Sequence, residues 1–155
     1  MNKEKKEARY QRLLEQLEDL LSRPAPRLSR MATLCALLSH KMDYFFWTGF
    51  YLLQNNGLFV GPYQGPLACQ QLEKDKGVCW AAIRQQKTLI VPDVDAFPGH
   101  IACDSRSRSE IVIPLRNPLG HIVGVLDVDS TELNAFDEAD AEYLEKMLDL
   151  AFNKA

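Results

Sequence analysis

From Lys3 to Leu21 the apolar residues Tyr10, Leu13, Leu14, Leu17, Leu20 and Leu21 recur at intervals of three and four, with Glu and Lys between them. That period aligns them on one face of an amphipathic helix. Pro24 and Pro26 end the pattern, since proline removes a backbone donor and clashes with a continuing helix. A second helical pattern then runs through Leu28, Met31, Ala32, Leu34, Cys35, Leu37 and Leu38. Cys35 shares its apolar face and reads as a packed core thiol.

The texture changes at Tyr44. Phe46 to Leu53 is aromatic and aliphatic, Asn55-Asn56-Gly57 supplies turn chemistry, and Leu58 to Tyr63 resumes an apolar strand, which predicts a β-hairpin. A Gly/Pro-rich stretch from Gly61 to Pro66 ends it. Gly77 to Gln85 fits a short helix and Leu89 to Pro92 a brief strand. Asp93 to Ser109 then forms a loop of about seventeen residues, a length at which structureless loops tend to be functional or disordered. Ile111 to Leu115, a turn at Asn117 to Gly120, and Ile122 to Val128 predict a second hairpin, and a helix from about Asp137 closes the chain. This order predicts an α+β fold, a central antiparallel sheet with helices packed on one face. No internal repeat or low-complexity segment interrupts it.

A chain of 155 residues suits one domain, expected to occupy 1–155 with amino-terminal helices over about 3–40, a core over about 44–130 and a closing helix over about 137–153. The net charge of −3 gives no basic field for phosphate backbones, so no nucleic-acid partner is expected. Lys3, Lys5 and Lys6 are interrupted by Glu4 and Glu7 and read as a solvated helix face. Charges stand where a signal peptide needs an apolar core, and no apolar run approaches the roughly 20 residues of a membrane span. The expected setting is cytoplasmic, without a membrane partner, where four cysteines start as thiols and not as structural disulfides.

Three of those cysteines lie in loop-like surroundings: Cys69 in GPYQGPLAC, Cys79 in KGVC and Cys103 in FPGHIACDS. One thiolate to attack and a second thiol to resolve the product would suit redox chemistry. Zinc held by Cys69, Cys79, Cys103 and His100 is a competitor, although the close cysteine pairs usual for structural zinc are missing. Cys79, between Val78 and Trp80, also fits an ordinary core thiol.

Asp127 and Asp129 alternate around Val128 in GVLDVDS, so a strand period of two points both to one face. They suit either a binding pair or a strand end turning into the next loop. Glu110 opens the preceding strand and would reach the same cavity across a hairpin. Three acids beside a thiol suit a ligand with an ammonium group and an oxygen that must be protonated before it leaves. His40 and His121 read as surface residues. No Ser-His-Asp arrangement, dinucleotide fingerprint or P-loop is present, and no cofactor is expected.

The words WTGFYLL (Trp47–Leu53), GPYQGPLAC (Gly61–Cys69), KGVC, FPGHIACDSRSRSEIVIPL (Phe97–Leu115) and GVLDVDS (Gly124–Ser130) together resemble the free methionine-(R)-sulfoxide reductases, a GAF-domain family. The resemblance implies a GAF-like fold and reduction of free methionine sulfoxide. It implies Cys103 as the nucleophile that becomes a sulfenic acid, Cys69 as the resolving thiol, and Cys79 in a catalytic or auxiliary role. It further implies Glu110, Asp127 and Asp129 as acidic substrate-binding residues, Trp47 and Tyr51 as aromatic walls, thioredoxin as the reductant and a homodimer. Trp80 departs from the small residue usual after the GVC cysteine.

Two other functions fit a GAF-like chain. A small-molecule sensor would bind a ligand for an attached output domain, which is not expected in this chain, and has no need of three loop cysteines. A redox switch would oxidise without releasing methionine.

Overall fold

The computed structural model describes residues 1–100 and 103–153; Ile101 and Ala102 of the predicted loop, with 154–155, lie outside the described residues. Helix α1 (Lys3–Leu20) begins where the Asn2 side chain accepts the Lys5 N–H at 2.9 Å. The side-chain oxygen thereby satisfies one of the donors that a helix start leaves orphaned. Helix α2 (Arg27–Lys41) follows the prolines and brings Met31, Leu34, Cys35, Leu37 and Leu38 to the core. Cys35 is buried as its periodicity predicts, and its thiol donates to the Pro62 carbonyl at 3.4 Å.

Strands β1 (Trp47–Gln54) and β2 (Gly57–Gln64) form the first hairpin, and Asn55 and Asn56 both take positive φ at its turn. Such a turn matches the right-handed twist of paired strands. β2 runs through Gly61 and Pro62 to Gln64, one residue past the strand predicted to Tyr63. The register steps from Gly49 opposite Tyr63 to Tyr51 opposite Val60, so these two residues bulge opposite Phe50. A bulge tolerates a proline that a regular central ladder would reject. A short β3 (Gln71–Leu72), absent from the sequence prediction, pairs with β2.

Helix α3 (Gly77–Gln85) and β4 (Leu89–Val91) match their predicted positions, and Val94–Ala96 forms a single 3₁₀ turn within the predicted loop. β5 (Ser109–Arg116) and β6 (Ile122–Ser130) form the second hairpin. Asp137 then caps α4 (Glu138–Leu148) in a reciprocal box with Asp140, and a π turn over Asp149–Asn153 follows.

All neighbouring strands are antiparallel, in the order β3-β2-β1-β6-β5-β4. Strand alternation divides the core in two. Phe50, Ile111, Ile113, Leu115, Leu126 and Val128 pack against α1, α2 and α4. On the other face Trp47, Tyr51, Val112 and Val125 pack against Val78, Cys79, Trp80 and Ala82 of α3. The prediction of helices on one face thus holds for the three long helices, while short α3 covers part of the second face. Among the described residues no helix is long and apolar enough to cross a membrane.

The amino-terminal charge run is not wholly solvated as its pattern suggested. Lys6 is only 3% exposed. Its Nζ donates to Asp140 Oδ2 and to the Ala135 carbonyl, each at 2.7 Å, and Tyr10 and Tyr44 donate their hydroxyls to Asp140 Oδ1. A buried ammonium needs such partners, and α4 supplies them. His40 and His121 are exposed, as their sequence positions suggested.

Candidate active site

The second face of the sheet becomes a site where β5 and β6 carry carboxyls in place of apolar side chains. Trp47 stands opposite Asp129 and Gly49 opposite Asp127 across β1 and β6, and Glu110 stands opposite Asp129 and Val112 opposite Asp127 across β5 and β6. Directly paired residues share a face, so all three acids point away from the long helices. Both aspartates lie inside a paired strand that runs to Ser130. The alternative of a strand end turning into a loop is therefore removed.

Aromatic rings wall one side. Trp47 stacks between Tyr51 and Tyr63, with ring centroids 5.6 and 5.2 Å away. Its indole N–H donates to the Pro66 carbonyl at 3.1 Å, which fixes the ring's rotation. Glycine at position 49 permits this placement, since a Cβ there would lie 2.6 Å from the indole.

The opposite wall is the start of α3, with Gly77, Val78 and Cys79, and the rim carries Leu67, His100, Cys103 and Ser107 around a cavity of about 60 Å³. Cys69 and Cys103 are joined by a disulfide, with Cα atoms 5.6 Å apart. Cys35 and Cys79 remain free thiols. The zinc set considered from sequence is thereby dismantled, because two of its sulfurs bond to each other. Cys79 Sγ and carboxylate oxygens of Glu110 and Asp127 lie within 4.8 Å of one another and form the one grouping of His, Cys, Asp and Glu, among the described residues, with the spacing to hold a metal ion.

Glu110 and Asp127 are each only 5% exposed, so their charged forms lose most of their hydration. Burial pushes the Glu110 carboxyl well above the usual range, and the charges of Asp127 and Asp129 push it further. Burial also raises Asp127, to about 6, with hydrogen bonds from Glu110 and Cys79 holding it below what burial alone would give. Asp129 is raised by burial and by the Asp127 charge. Glu110 Oε1 and Asp127 Oδ1 have no donor when both groups are ionised. A proton on Glu110, or a cationic ligand, supplies what they lack.

The same surroundings act on the thiols. Burial and then the charges of Asp127 and Glu110 push the Cys79 thiol up, so it resists forming a thiolate while the acids are ionised. Cys103 is exposed at the rim, beside an Asp104 carboxylate that grips the Arg106 guanidinium at 2.7 and 3.0 Å. Trp80 does not line the cavity; it is buried beneath Lys74, whose Nζ lies 4.6 Å from the ring centroid. The departure at this position leaves the cleft open.

Known proteins resemble this chain in sequence and fold. The GAF domain family pattern matches residues 30–151. Free methionine-R-sulfoxide reductase of Escherichia coli (strain K12) is 41% identical over 123 residues, 78% of this chain and 73% of that protein. The X-ray structure of free methionine-R-sulfoxide reductase from Neisseria meningitidis in complex with its substrate matches with a TM-score of 0.89 at 42% identity, covering 94% of this chain and 87% of that one. The chain belongs to the free methionine-(R)-sulfoxide reductase family. GAF domain-containing protein A of Dictyostelium discoideum is a further relative, 50% identical over 154 residues, which are 99% of this chain and 96% of that protein.

Of the residues singled out from sequence, Trp47, Tyr51, Cys79, Cys103, Glu110, Asp127 and Asp129 all line the cavity. Cys69 joins through its disulfide and through its carbonyl, which accepts the Tyr51 hydroxyl at 3.5 Å. His100, which the sequence suggests only as a zinc ligand, also lines the cavity, as do Lys76 and Ser107, which no sequence pattern singles out. His100 and Ser107 had one available signal, their place within the FPGHIACDSRSRSE word of the reductase family.

Proposed function

We propose that this protein reduces free L-methionine-(R)-sulfoxide to methionine with its own thiols. The observation that carries the reading is a surface cysteine pair set over buried carboxyls whose pKa values are raised. A sulfoxide oxygen leaves poorly until protonated, and a carboxyl that burial makes hold its proton more tightly than usual is suited to give it one.

Cys103 attacks the sulfoxide sulfur while Glu110 protonates the oxygen. The substrate sulfur is reduced by two electrons and departs as the thioether, and Cys103 is left as a sulfenic acid. The Cys69 thiol then attacks that sulfur, water leaves, and the Cys69–Cys103 disulfide forms, to be reduced by thioredoxin in the cytoplasm. Exposure of Cys103 favours it as the nucleophile over Cys79, whose buried thiol beside carboxylates makes a poor thiolate. Cys79 instead lies within 4.8 Å of carboxylate oxygens of Glu110 and Asp127 and packs beneath the acids.

Asp127 and Asp129 answer the substrate ammonium, and Trp47 and Tyr51 enclose the methyl sulfoxide end. A peptide-bonded methionine lacks the ammonium, so it would leave these buried carboxylates unpaired, which is the basis for selecting the free amino acid. The stacked rings admit the R epimer by placing its oxygen toward Glu110. The proposed unit is one catalytic domain, and a homodimer would leave this chemistry within each chain.

Purified protein with thioredoxin, thioredoxin reductase and NADPH tests the reading. NADPH loss is expected with the free R epimer, not with the S epimer or a peptide-bound sulfoxide, and is abolished by Cys103→Ser. Oxidation of the protein without methionine release would instead mark a redox switch, and no reaction of the folded, reduced protein would mark a binding module.

A further inference from the structure

The proposed reaction leaves one proton unaccounted for. Glu110 gives its proton to the sulfoxide oxygen and lines the cleft while only 5% exposed, so it needs a nearby group from which the next proton arrives. His100 lines the same cleft beside this acid. Its side chain is 14% exposed and its Nδ1 lies 4.0 Å from Glu110 Oε1, the oxygen without a hydrogen-bond donor. That separation is longer than a hydrogen bond and within reach of a small movement of either side chain. Its Nε2 is buried and also has no partner among the described residues. The backbone at this position is fixed: the His100 N–H donates to the Phe97 carbonyl at 3.2 Å, and Gly99 takes a φ of +75° that glycine adopts without cost.

An imidazole with one nitrogen aimed at a buried acid and the other without a partner among the described residues is placed to carry a proton and not to brace the fold. We infer that His100 is a positioning residue that relays a proton to Glu110 after each transfer to substrate. The inference rests on the reductase reading above.

The balance closes without a further reagent. Cys103 loses its thiol proton on attack, His100 takes up a proton at one ring nitrogen and releases one from the other to the Glu110 carboxylate, and the oxygen leaves with the proton Glu110 supplied. Sulfoxide sulfur is reduced, Cys103 sulfur is oxidised, and the net proton count is unchanged. Burial lowers the His100 pKa while the Asp95 charge opposes that shift, which favours a ring that is neutral and ready to accept. The other titratable groups facing the cleft are Tyr51 on β1, Lys76 just before α3, Cys79 on α3, Cys103 and Asp104 in the same loop, and Glu110, Asp127 and Asp129 on the sheet.

Two variants and two readouts test this. With dithiothreitol as reductant, His100→Ala is expected to lower kcat about 10²-fold with little change in KM, the usual scale of a lost proton-transfer group. The loss deepens as pH rises and is restored by added imidazole. In the reduced protein without substrate, the infrared carbonyl band of protonated Glu110, assigned by its loss in Glu110→Gln, shifts in His100→Gln. An unaltered kcat across the pH range, a loss that imidazole does not restore, or an unshifted band each overturns the relay. Inactive wild-type protein would count against the reductase reading itself, and the infrared band would still decide whether His100 touches Glu110.

Discussion

At the scale of single residues the site is governed by three carboxyls brought together with no donor for two of their oxygens. An acid whose folded pKa lies above its unfolded value binds more protons folded than unfolded. Its contribution to stability is complete below the unfolded pKa and is lost as pH rises through the folded one. For Asp127 that window begins at its ordinary value of 3.8 and runs through about 6, and Glu110 and Asp129 extend it upward. The reduced, ligand-free protein is therefore expected to lose stability across this range, and Asp127→Asn to flatten the loss. Urea unfolding at several pH values measures it; a slope unaltered by the substitution would contradict the assigned burial effect. The sequence showed these acids because alternation within an otherwise apolar strand is unusual. It could not show their protonation, which depends on the rings, helix and loop that close over them.

Among the elements, α1 depends most on a contact that no local pattern reveals. Its seam of Tyr10, Leu13 and Leu17 was legible from periodicity, yet Lys6 looked like one more charge on a solvated face. The lysine finds its carboxylate 134 residues away, where Asp140 of α4 also receives Tyr10 and Tyr44. Removing one partner of a buried pair strands the other, at a typical cost of about 3–5 kcal/mol. Lys6→Met should therefore lower stability by that order, while Lys5→Met, at an exposed position, changes it little. Equilibrium unfolding of both variants checks the contrast; equal effects would remove the special role of Lys6. Strand β3 escaped notice for a related reason, since two residues are too short to show a period and gain their form from pairing with β2.

Across the whole molecule, hairpins from opposite ends of the core meet through β1 and β6, and a disulfide spanning 34 residues ties the loop after β2 to the loop before β5. In the chain-entropy account, closing a loop of that length stabilises by about 3–4 kcal/mol, an upper value when the native state bears any strain. Oxidised protein should melt above the reduced form, with Cys69→Ser insensitive to reductant; scanning calorimetry of each form reads the difference, and equal Tm values would contradict it. The GAF-like architecture was legible from the order of its elements together with the motif words they carry. The second face of the sheet was not, because α3 and two loops cover it by contacts between segments far apart in sequence.

The central claim is that Cys103 takes the sulfoxide oxygen and Cys69 resolves the product. It is tested most directly by a single turnover of reduced Cys69→Ser with free L-methionine-(R)-sulfoxide, without added reductant, followed by mass spectrometry of the protein after trapping with dimedone. One equivalent of methionine per chain, with the dimedone adduct on Cys103, is the predicted result. Release of methionine with the adduct on Cys79, or no release from protein whose Cys103 is shown to be reduced, would contradict it.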